Sequence, residues 1–205
     1  MTFLTFLFAA AILAITPGPG IAYVVARTVA GGRREGFASC LGTGFGGLVH
    51  VFATALGLSL VLANSAWAFN LIKYIGAAYL IFMGVRILKR RKHSEIAPAA
   101  SAQGTWRAFT EGALVEAFNV KTALFFVAFL PQFIVPSAVL VPQLVLLGCV
   151  CVLLNTLADV IAVFGAVHLL KSSATQAGRA KMLNRISGAT MIVLGVFLST
   201  ARRGM

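Results

Sequence analysis

Of the 205 residues, 60% are hydrophobic and only 11% are charged, with a mean hydropathy of +0.95. Soluble domains carry about 25% charged residues, so an ordinary water-soluble globule is excluded. The net charge of +12 does not mark a nucleic-acid binder, because the basic residues stand in short loops beside apolar runs, which is the orientation signal of inner-membrane proteins.

Six apolar segments follow in chain order, at about 3–26, 37–63, 67–88, 108–135, 139–170 and 186–200. Most exceed the ~18 residues of a spanning helix, and none alternates apolar with polar as a barrel strand does. The chain therefore reads as an all-α integral membrane protein of six transmembrane helices. The opening "MTFLTFLFAAAILA" lacks the positive flank and cleavage site of a signal peptide and predicts a retained first helix. That helix is interrupted by Pro17, Gly18, Pro19 and Gly20. Proline removes a backbone N–H and glycine weakens a helix interior, so a break is expected here.

In the second segment Gly42, Gly46, His50 and Thr54 recur every four residues. Such a small and polar stripe predicts close helix packing, with His50 as a candidate proton-coupling group besides. The third segment ends in a linker, 89–107, basic and then small and polar, expected to lie flexible in water. The fourth holds Glu116, Asn119 and Lys121, followed by Pro131 and Gln132. A lysine near a helix centre costs ~2.5–3.5 kcal/mol to insert, so Lys121 should face a partner or a cavity. Glu116 and Asn119, three apart, share a helix face. The fifth segment has one acid, Asp159, with Asn155 one turn earlier. A buried carboxylate there is a candidate proton carrier or ammonium ligand.

Thirteen of the seventeen basic residues follow odd-numbered segments, against three (Lys73, Arg202, Arg203) on the other side, with Lys121 inside a span. The loops holding Arg27, Arg33, Arg34 and the linker are therefore cytoplasmic, and the termini outside. "IGAAYLIFMG" at 75–84 echoes "SGATMIVLG" at 187–195, each in the third segment of its half. The chain then reads as one membrane domain, 1–205, with halves 1–88 and 108–205 joined by the linker 89–107. A repeat of three spans must be inverted, and paired interruptions in corresponding helices point to a transport site between the halves. The registers of the two halves do not align cleanly, so the PGPG can be paired with either Asn119–Lys121 or Pro131–Gln132.

Cys40, Cys149 and Cys151 are odd in number and sit in apolar stretches, so they read as buried structural thiols. No nucleophile–base pair, HExxH, GxSxG or P-loop is present, which argues against an enzyme and against an ATP-driven pump. A cation or metal channel would want more intramembrane carboxylates, sulfurs or imidazoles than stand here, and no metal or cofactor is implied. That channel is the alternative to a transporter.

The chain resembles the LysE/RhtB family of amino-acid exporters over nearly its whole length. The resemblance rests on Pro17-Gly18-Pro19, on Gly32, Gly36, Gly42 and Gly46, on "KYIGAAYLIFMG" at 73–84, on Gly112, on "NVKTALFFVAFLPQF" at 119–133, and on Asp159. It implies export of an amino acid or derivative from the bacterial cytoplasm, driven by an ion gradient. Two residues depart from the family pattern: Gly20 stands where an acid usually follows the PGP, and Val120 where a proline usually separates Asn119 from Lys121. The expected substrate is a small zwitterion bound by Pro17, Gly18, Pro19, Gly20, Asn119, Lys121 and Asp159. Its carboxylate would meet the backbone break and Lys121, and its ammonium Asp159 or freed carbonyls. Glu116, Asp159 and His50 are the candidates for exchanging a proton, with Glu116 supplying the charge missing at position 20. Six short spans make a thin wall around a cavity, which a homodimer would thicken.

Overall fold

The computed structural model describes residues 3–58, 66–89, 101–135 and 139–169, and scattered positions between 185 and 200. Linker residues 90–100, residues 170–184 and part of the sixth apolar segment (186–188, 190, 197 and 198) lie outside the described residues. The described chain is helical: α1 (Phe3–Ile15), α2 (Pro19–Ala53), α3 (Ala66–Lys89), α4 (Thr105–Ala117), α5 (Val120–Leu124) and α6 (Leu140–Leu169). A π-helical turn at Thr54–Leu58 extends α2, and Phe125–Phe129 (π) and Leu130–Phe133 (3-10) continue α5.

By length and apolarity Pro19–Gly57 and Leu140–Ala166 can each cross a membrane. The pair Thr105–Ala117 and Val120–Phe133, bent by 42°, has the length and apolarity for a third crossing if it forms one broken span. Pro19–Gly57 is not one straight rod. Gly32 has φ 73° and ψ −170°, a left-handed conformation that side chains avoid. On the far side of it the chain returns: the Thr28 hydroxyl touches Gly36. Eight residues along a straight helix would separate them by about 12 Å. Val24 and Cys40 likewise share one apolar cluster. So α2 is a hairpin of two arms, 19–31 and 33–53. The first and second apolar segments are therefore joined through helix rather than loop. Arg27, assigned to that loop by sequence, is instead a buried helical residue.

The second arm packs on α4 through glycine. A Cβ at Gly42 would meet the Phe109 carbonyl, one at Gly46 the Ala113 carbonyl, and one at Gly112 the Ser39 carbonyl at 2.9 Å. The stripe read from the sequence is thus a backbone-to-backbone seam. The main apolar core lies toward α1 and the far end of α5, where Phe6, Phe125, Phe126, Phe129 and Phe133 meet Leu144 and Leu147 of α6. The opposite face of α6 presents Leu146, Leu153, Leu157 and Ile161 outward, as a lipid-facing surface does. Cys40 and Cys151 are buried, but Cys149 is exposed on that outer side, contrary to the reading of all three as buried. The two echo stretches meet: a Cβ at Gly195 would fall against Ala77 and Ile81 of α3.

Gly46→Ala should therefore lower the thermal midpoint of the detergent-solubilised protein, by an overpacking cost of about 1–3 kcal/mol. Gly57→Ala, where an added Cβ meets nothing within 4 Å, should leave it unchanged. Equal midpoints for the two variants would contradict the seam.

Candidate functional site

Both interrupted helices break beside the same cavity. In the first, α1 ends at Ile15 and α2 starts at Pro19, with proline at the position where its missing N–H costs least. Gly18 precedes it in extended conformation, φ −137° and ψ −171°. The Ala22 N–H is the first of α2 to reach a carbonyl, that of Gly18 at 3.0 Å. The N–H groups of Gly20 and Ile21 precede it and have no intrahelical acceptor, as at any helix start. In the other break α4 ends at Ala117 and Asn119 caps α5, its Oδ1 accepting from the Lys121 N–H at 3.1 Å.

The polar side chains repair what the breaks expose. Lys121 Nζ donates to the carbonyls of Leu13 (3.1 Å) and Thr16 (2.8 Å), at the free end of α1. Gly18 makes this possible, since a Cβ there would stand 3.1 Å from Nζ. His50 Nε2 donates to the Glu116 carbonyl at 2.8 Å, at the end of α4. The sequence assigned Lys121 to the substrate's carboxylate and the freed carbonyls to an ammonium. The ammonium that meets the carbonyls is that of Lys121 itself.

Glu116 and Asp159 are the two buried carboxylates of the site. Glu116 Oε1 accepts from the Thr122 hydroxyl at 2.6 Å and Oε2 from Asn119 Nδ2 at 2.9 Å. Oε2 also lies 2.7 Å from where a Cβ on Gly20 would stand. The carboxylate thus occupies the space that a side chain at position 20 would fill. Asp159 Oδ2 accepts from the Thr43 hydroxyl at 2.7 Å, and Oδ1 accepts no hydrogen bond among the described residues.

The cavity between these groups has an empty volume of about 380 Å³. Of that space only about 20 Å³ is open to a water-sized group, room for about one water, so the cavity is nearly closed in this conformation. Of the residues singled out in the sequence, Gly18, Gly20, Glu116, Asn119, Lys121 and Asp159 line it, and so does Asn155. Pro17 and Pro19 shape the break without lining the cavity, and His50 stands behind the Glu116 backbone. Pro131 and Gln132 are buried in the 3-10 turn and also stay off it. Thr43 and Thr122, the hydroxyl partners of the two acids, went unnoticed in the sequence. Thr43 adjoins the glycine stripe, but Thr122 carries no signal that separates it from other threonines in apolar helices. Formally the lining holds two carboxylates and one ammonium. Among the described residues no group of three or more His, Cys, Asp or Glu could hold a metal ion.

A model of the family described as LysE type translocator matches residues 11–202. An "Uncharacterized membrane protein" of Vibrio cholerae is 29% identical over 97% of this chain and 97% of its own length. The "Homoserine/homoserine lactone efflux protein" of Salmonella typhimurium is 27% identical, covering 96% of this chain and 95% of its own. "Uncharacterized membrane protein YrhP" of Bacillus subtilis is 31% identical, covering 91% and 93%. No solved structure matches.

Lys121→Met keeps the length of the side chain but leaves the Leu13 and Thr16 carbonyls without their donor. It should destabilise the protein by about 1–3 kcal/mol per orphaned carbonyl, read as a lower thermal midpoint in detergent. An unchanged midpoint would mean that the lysine does not brace the break.

Proposed function

The chain belongs to the LysE type translocator family, and from that premise we propose that it exports an amino acid or amino-acid derivative by exchanging it for a proton. It is a multi-pass protein of the bacterial inner membrane and not an enzyme. The observation that carries the substrate site is the convergence of both helix breaks and Asp159 on one small, polar-lined cavity, which must widen to admit an amino acid. Asp159, with one carboxylate oxygen unengaged among the described residues, is the ligand for the substrate's ammonium. The start of α2, with the N–H groups of Gly20 and Ile21 and the positive end of the helix dipole, suits a carboxylate or ester carbonyl at the other end. Lys121 acts beside them by holding the end of α1 in place and by adding positive charge. Asn119 fixes Glu116 and the start of α5.

Two acids against one lysine leave the lining one negative charge in excess when all are ionised. A cationic ligand or a proton relieves that excess, and alternation between the two is the simplest coupling. Glu116 is the proposed carrier of the proton, since it stands in the space beside Gly20 where relatives of this family place an acid. His50 would take part through the Glu116 backbone. The Salmonella relative is named for homoserine and its lactone, and both fit a site that grips an ammonium first. Six spans in two inverted halves remain the architecture in this reading. It is supported by the paired breaks and by the contact of the two echo stretches across Gly195. A homodimer would complete the wall.

In proteoliposomes, an imposed pH gradient should drive amino-acid flux, and flux indifferent to the gradient would end the case for proton antiport. Glu116→Gln should retain exchange of substrate while losing its dependence on pH. Asp159→Asn should cut flux at least about tenfold, since it removes a charge-assisted hydrogen bond to the ammonium. An Asp159→Asn protein with full flux would move the ammonium site elsewhere. The substrate itself is read by overproducing the protein in cells fed dipeptides and measuring which amino acid leaves faster.

A further inference from the structure

The cavity is closed unequally at its two ends. Toward the end where α1 and α5 pack, it is backed by the phenylalanine-rich core. Toward the other end a single apolar layer closes it. One helical turn from Gly20 stands Val24, one turn from Thr43 stands Cys40, and one turn from Asp159 stands Val163. These three buried residues form a separate cluster, with Val160 packed on it. The layer is about 6 Å deep, the rise of four helical residues.

One turn beyond that layer the chemistry changes to buried charge. Arg27 and Glu35, on the two arms of α2, approach to 3.7 Å and are almost wholly buried. Arg27 Nη1 donates to Gln103 Oε1 at 2.7 Å, and Nη2 to the Ser101 carbonyl at 3.3 Å. Glu35 Oε1 accepts from the backbone N–H groups of Gln103 and Gly104, both at 2.8 Å. The linker end expected to lie free in water is therefore fastened at 101–104 to both arms of the hairpin. Glu35 Oε2, the oxygen that faces Arg27, is buried and accepts no hydrogen bond among the described residues. The adjoining turn at Gly32, with its left-handed backbone, is the hinge about which the arms can part.

We infer that Val24, Cys40 and Val163 form the cytoplasmic gate of the cavity, and that Arg27 and Glu35, with residues 101–104, are the latch that holds it shut. Arg33, Arg34 and Arg107 mark this end as the cytoplasmic one. An exporter must load from that side, and the single layer is the shorter way in. The inference rests on the transport reading for its purpose, but not for its geometry. Releasing the latch frees the linker end and lets the first arm swing on Gly32, which separates Val24 from Cys40 and Val163.

Cys40 reports on the gate without any engineered label. Membranes are treated with a charged, membrane-impermeant maleimide, and alkylation is followed site by site by peptide mass spectrometry. Inside-out vesicles present the cytoplasmic face, and intact cells stripped of their outer membrane present the other. Glu35→Ala should raise the rate at Cys40 roughly tenfold from the cytoplasmic face, as breaking a buried ion pair shifts a closed population toward open. It should leave the rate from the outer face, and the rate at buried Cys151, unchanged. Gln103→Ala, which removes one bond of Arg27, should act the same way more weakly, and it serves if Glu35→Ala fails to insert. A Cys40 rate that does not move, one that rises from the outer face, or one that rises together with Cys151 would overturn the gate. No substrate is needed, so failure of the unaltered protein to move any amino acid in proteoliposomes would refute the transport reading and leave the Cys40 result, and with it the gate, standing.

Discussion

A backbone broken at membrane depth must have its open N–H and C=O groups answered within the protein, because lipid offers no partners. The Lys121 ammonium on the carbonyls of Leu13 and Thr16 is the central answer here. It joins the end of one broken helix to the start of another, 105 to 108 positions apart in sequence. Remove that link and the two breaks become independent defects. With it they form one junction, against which α2 and α4 can place their own ends. The same logic sets His50 on the Glu116 carbonyl and Asn119 on the start of α5. The cavity is what remains in the middle once each of these debts has been met.

The acids follow from this framework. Each buried carboxylate has a hydroxyl within hydrogen-bond reach, Thr122 for Glu116 and Thr43 for Asp159. Yet they are held differently. Among the described residues Glu116 has both oxygens engaged, whereas Asp159 has one. Two identical functional groups in one cavity are thereby given unequal freedom, which is what distinct duties in a transport cycle require.

Much of this was legible in the sequence, and the reasons it was legible are physical. Proline and glycine at 17–20, a lysine at 121 and an acid at 159 are expensive in an apolar segment, so each announces itself. Their convergence on one cavity follows from the demand that such groups be buried together. The glycine period at 42 and 46 predicted contact, and the contact is there. What was not legible depends on folding at a distance. Nothing local says that the turn at Gly32 is built within helix, that Arg27 is buried rather than solvated, or that residues 101–104 bind Glu35. Arg27 was counted as a loop charge because arginine near a membrane surface usually is one. Its tertiary partners, Glu35, Gln103 and the Ser101 carbonyl, make its burial tolerable. The exposure of Cys149 had a local clue, since it stands two residues from buried Cys151 and so on the other side of its helix.

The seam between the second arm of α2 and α4 has a mechanical consequence. Gly42 and Gly46 rest on the carbonyls of Phe109 and Ala113, and Gly112 on that of Ser39. Side chains can change rotamer to accommodate sliding, but main chain against main chain has nothing to rearrange. These two helices therefore behave as a single stiff beam, carrying Thr43 and Glu116 at a fixed separation. Strain applied at one end of the beam is delivered at the other almost undiminished, as in a lever. The softer joints, made of side-chain bonds at Lys121 and Arg27, lie at its sides, and displacement concentrates there.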